Sequence, residues 1–249
     1  SDHNSPKINE RTLEIALGLW FMRQSLHSIY GEGGGNMPVE IGNVLGSYWP
    51  PGERIDGLYL PWQLVDVTDN GLDARVMSYS NLSVLSISTV EHIGYDNEGT
   101  QHLDGFRLDT SPAGLEAWAA SWAEAVSVLE RIVQEAFQFL VTFPIGVNPR
   151  LDAAVETSPE LRRFARVARR VDALNRWEVD PDTSFSYWYD FRDTYDEQSV
   201  GHMFHPDLPA AYERVYGQRM PPRLPLPRHP RFRFANAVCV VTNVPELLA

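Results

Sequence analysis

Lysine and cysteine are almost missing from this chain of 249 residues. A single Lys, Lys7, stands beside 20 Arg, and the one cysteine is Cys239. One thiol can neither close an internal disulfide nor build a cysteine-based zinc site, which fits a reducing compartment or no redox role. Cys239 lies in an apolar run and reads as a small buried hydrophobe. Arg in place of Lys gives planar donor forks suited to interfaces and paired sites. A GC-rich coding genome would produce the same bias.

Long apolar runs are missing too. None approaches the ~20 residues needed to cross a bilayer. The richest stretch, residues 13–22, is broken by Glu14 and lacks the basic region and cleavage site of a signal peptide. The expected location is therefore cytoplasmic or within an intracellular particle, with no membrane partner. Catalytic signatures are also absent: there is no Gly-x-Ser-x-Gly elbow, no kinase set and no dinucleotide fingerprint. The glycine-rich turn at 31–35 has no Lys, and Glu32 would repel a phosphate. It follows a helix instead of preceding one, so it reads as a helix end. No cofactor is expected.

What is present is an acidic, apolar-rich chain. Its hydrophobic fraction of 43% excludes a disordered polymer. The formal charge is −12, and residues 1–149 hold 19 of the 33 acidic side chains but 7 of the 21 basic ones. That half would repel a nucleic-acid backbone or an anionic membrane.

Apolar spacing predicts a helix over 11–30, with Ile15, Leu19, Met22, Leu26 and Ile29 on one stripe. Residues 36–109 read as β structure. Asp69-Asn70-Gly71 suits a tight hairpin turn between 65–67 and 72–76, and a strand is expected at Leu82–Ile87. A long central helix is expected over 112–140, carrying Leu115, Trp118, Trp122, Ala125, Leu129, Ile132, Ala136 and Leu140. A third helix is expected over 160–176, and an aromatic strand over 184–193. A short helix near 208–216, a proline-rich extended segment at 221–230 and a last strand over 232–241 complete the reading. The expected class is α+β: a long helix and two further helices on a mostly antiparallel sheet. One globular domain spans 1–249, with a polar arm at 1–10.

Four constellations have residue types that could support a function. The glycine turn is the first and is read above as a cap. The second is His202 and His205, three residues apart, with Asp207, Asp190 or Asp193 as carboxylate; this set could hold a metal if helical, although Pro206 opposes a helix. The third is the Arg-rich segment. Arg162, Arg163, Arg166, Arg169 and Arg170 would share the polar face of one helix, able to meet phosphates, a partner subunit or solvent. The fourth is the Pro-x-x-Pro pattern near 221–228, read as a rigid crossover.

The surplus of Trp, Tyr and Arg matches the composition of interface cores. The first expectation is therefore a structural or assembly subunit, with self-association or other protein subunits as partners and a coat or capsid-type protein as its sharpest form. An enzyme using the acidic, aromatic and histidine region 190–207 is the alternative. A nucleic-acid-associated protein using the Arg-rich segment is the third reading, disfavoured by net charge.

Overall fold

Near-continuous apolar runs at residues 139–141 and 237–241 leave those strands no polar face, so the middle of this sheet is covered on both sides. The computed structural model describes residues 11–30, 37–42, 44–48, 63–65, 74–94, 113, 120–145, 148–170, 176–180 and 237–247. They form α1 (Arg11–Tyr30), β1 (Met37–Ile41), β2 (Gln63–Val65), β3 (Leu82–Ile87), α2 (Ala123–Glu135) and β4 (Gln138–Pro144). Then come α3 (Pro149–Thr157), α4 (Pro159–Arg162), β5 (Ala165–Arg170), β6 (Trp177–Asp180) and β7 (Ala237–Thr242).

The strands make one seven-stranded sheet in the order β2-β1-β3-β4-β7-β5-β6. Its first half is parallel, through β2-β1, β1-β3 and β3-β4. Its second half is antiparallel, through β4-β7, β7-β5 and β5-β6. Helices and a mixed sheet bear out the α+β class. Among the described residues the expected antiparallel majority is not seen, because β3, α2 and β4 form a parallel crossover.

Two apolar layers sandwich the sheet. Val84, Phe139, Val141, Phe143, Cys239 and Val241 point to one side, where Val128, Leu129 and Ile132 of α2 and Leu151 and Val155 of α3 cover them. Leu85, Ile87, Leu140, Val238 and Val240 point to the other, under Ile15, Phe21, Met22 and Leu26 of α1. Cys239 is buried as expected. Burial pushes its thiol pKa well up, with Asp152 adding to the rise, so it is no nucleophile.

The 11–30 helix and the 82–87 strand form where expected, and β7 falls on the end of the last expected strand. Three expectations fail. The helix expected over 112–140 is described from Ala123 to Glu135, and Gln138–Pro144 is strand β4. Its Phe, Leu, Val and Thr residues fit a helical stripe on paper, but both faces of this segment are buried, and a two-sided strand satisfies that. The helix expected over 160–176 ends at Arg162, and residues 165–170 pair with β7 and β6. Ala74–Val76, expected as the second arm of a hairpin, is a turn.

The third helix, α3, was hidden by Pro149, which reads as a breaker. Here it occupies the first turn, where its missing N–H is harmless. The Asn148 side chain caps that turn by accepting from the Arg150 and Leu151 N–H groups, both at 3.2 Å. The polar arm at 1–10, the glycine turn, the hairpin turn at 69–71, the aromatic strand, the 208–216 helix and the proline-rich segment lie outside the described residues.

Ile132 sits fully buried where α2 meets the sheet. Ile132→Ala should lower unfolding stability by about 2–5 kcal/mol. Urea denaturation followed by circular dichroism measures it, and a loss under about 1 kcal/mol would mean that α2 does not seal this layer.

Candidate functional site

The parallel half of the sheet gives the molecule two unlike rims. At the carboxyl ends of β1, β3 and β4, buried polar groups gather. At the amino ends, apolar groups are exposed.

The carboxyl rim is built by helix starts. α1 begins there, so Arg11 reaches the Ile87 carbonyl at 3.4 Å and stands 3.5 Å from the Glu14 carboxyl in the same turn. Ser88, just past β3, donates its hydroxyl to the Glu14 carboxyl, with 2.7 and 2.9 Å to the two oxygens. Ser88 takes a positive φ of 40°, a left-handed conformation that a non-glycine residue adopts only under constraint. The chain then forms a short helical turn, Val90–His92. Asn148 Nδ2 ties this turn to the start of α3 by donating to the Glu91 carbonyl at 3.1 Å. The Ser121 hydroxyl ties it to the start of α2 by donating to the Gly94 carbonyl. Gly94 has φ +71°, and a Cβ there would meet the Ser121 carbonyl oxygen at 1.9 Å, so only glycine fits.

Four carboxyl groups at or near this rim are fully buried: Glu14, Glu40, Glu91 and Asp152. Glu40 is structural. Its Oε1 accepts from the Val44 and Leu45 N–H groups at 2.9 and 2.6 Å and so caps the turn after β1. Glu91 differs, because neither of its carboxyl oxygens has a hydrogen-bond partner. His92 Nε2 lies 3.7 Å from Oε1, too long for a hydrogen bond and an ion pair only when the imidazole is charged. Burial lifts the Glu91 pKa to about 8 against the partial relief of His92, and the Glu14 charge raises it further. Enclosure thus favours the neutral form of the Glu91 carboxyl.

The amino rim is different in kind. Met37, Leu82 and Phe137 lie in register across β1, β3 and the entry to β4: Met37 pairs Leu82, and Phe137 N–H donates to the Leu82 carbonyl at 3.0 Å. Two residues further along these strands, Val39, Val84 and Phe139 belong to the layer under α2. By strand alternation the rim row continues that column past the end of α2. Met37 and Phe137 are each 55% exposed. Phe137 is held in place, for its carbonyl also accepts from Asn243 Nδ2 at 2.9 Å.

Beside this row, Arg131 of α2 clamps the 74–80 turn. It donates to the carbonyls of Arg75, at 2.9 Å, and Met77, and stacks over Tyr79 at 5.5 Å. Glu135 accepts the Tyr79 N–H at 2.9 Å, which holds its carboxyl below the usual range. Val76, at the tip of this turn, is 75% exposed.

The residues singled out in the sequence fare unevenly. Arg162 and Arg163 lie on α4 and its end, whereas Arg166, Arg169 and Arg170 lie in β5. They do not share one helix face. Arg163 stacks over Phe164 at 4.5 Å, Arg166 donates to the Ala165 carbonyl at 2.8 Å, and Arg169 pairs with Glu178 at 3.4 Å. His202, His205 and Asp207, with Asp190 and Asp193, lie outside the described residues. Among the described residues, no cluster of His, Cys, Asp and Glu is placed to hold a metal, and no helix is long and apolar enough to cross a membrane.

Neither rim is conspicuous in the residue pattern. Glu14 and Glu91 are ordinary acidic residues in the chain, and Phe137 reads as one more core position of a long helix. No family model matches this chain, and no curated protein matches its sequence.

The Glu91 carboxyl keeps its proton up to about pH 8 in the folded chain but releases it near 4.5 once exposed. Between those values the folded state binds more protons than the unfolded one. Stability should therefore fall as pH rises from about 4.5 to about 8, by at most about 1.4 kcal/mol per unit from this group, and level off above. Denaturant titrations across this range, with Glu91→Gln as control, measure the slope. An equal slope in the variant would sink the assignment.

Proposed function

We propose that this chain is a structural subunit that works through protein–protein contact at the amino rim of its sheet. Self-association is the simplest form of that contact, and a coat or shell of a particle is its sharpest form. The observation that carries this reading is the row of Met37, Leu82 and Phe137. A half-exposed aromatic whose backbone is fixed on both sides, flanked by apolar neighbours in register, is the kind of rigid anchor that dominates interface energies. Its surface needs little ordering before contact, which favours association.

The electrostatics agree. A chain of net charge −12 repels its own copies, yet Ser83, Gln138 and Asn243, which border the row in the strands, carry no charge. Glu135, the carboxylate beside the row, stands 3.4 Å from Arg131, which offsets its charge at a contact here.

Catalysis at the other rim is supported less. A general acid must reach its substrate, and the Glu14 and Glu91 side chains are both fully enclosed. The nucleic-acid reading loses its main support too, because the five arginines are divided between a one-turn helix and a strand.

Size-exclusion chromatography with light scattering, on native extract and on purified chain, tests the proposal. The native chain should elute as a multiple of the monomer, and Phe137→Asp should shift it towards monomer without altering its circular dichroism. A concentration-independent monomer in both extract and purified form would defeat the reading.

A further inference from the structure

We draw no further inference here: the strongest candidate, the enclosed Glu91 carboxyl in the turn after β3 at the carboxyl rim, rests only on its burial and titration, since among the described residues no set of His, Cys, Asp and Glu is placed to hold a metal there.

Discussion

Burial of the central strands on both faces is the constraint on which the rest of the molecule depends. β4 shows it best. Phe139, Val141 and Phe143 pack beneath α2 and α3, while Leu140 packs beneath α1. A strand in that position has no solvent face, so every side chain along it must be apolar or hydrogen-bonded. Thr142 meets that demand only at its backbone, its carbonyl accepting from the Ser88 N–H at 2.8 Å, while its buried hydroxyl has no hydrogen-bond partner. Once both faces are closed, polar and titratable groups are displaced to the two ends of the strands, and any function of the sheet has to appear at a rim.

The two rims differ because parallel strands give the sheet a direction. The starts of α1, α2 and α3 all lie at the carboxyl rim. Helix starts present unpaired N–H groups and the positive end of the helix dipole, which suit acidic side chains. Glu14, Glu124 and Asp152 occupy the first turns of α1, α2 and α3. That arrangement explains why acids collect there. It does not satisfy Glu91, which sits in the turn between these helices and keeps its proton instead. At the amino rim the end of α2 leaves the column Met37, Leu82, Phe137 partly uncovered, and the 74–80 turn closes one side through Arg131 and Glu135.

Some of this was legible in the chain. Apolar residues at helical spacing over 11–30, with a broad apolar surface, indicated α1, and the apolar run at 82–87 indicated β3. Ser158-Pro159 announced a helix start in the way Asn148-Pro149 also did, but the second was masked by its neighbouring breakers. Residues 138–140 and 165–170 were misread for one reason. Each has an apolar pattern that fits a helix as well as a strand, and only pairing with β7, itself nearly a hundred residues away from β4, selects the strand.

The sequence alone determined composition-level properties: a single thiol with nothing to pair with, a surplus of negative charge in the first 149 residues, and enough apolar residues for a closed core. It also determined the helices whose period is unambiguous. Tertiary structure decided the rest. The Glu91 carboxyl is pushed up to about 8 chiefly because the fold buries it, with a smaller rise from the charge of Glu14, 77 positions away in the chain. Phe137 became a half-exposed aromatic only because it falls one residue before β4 instead of on the stripe of a longer helix. Both outcomes rest on long-range pairing and burial, and local sequence does not encode which distant residue will complete an environment.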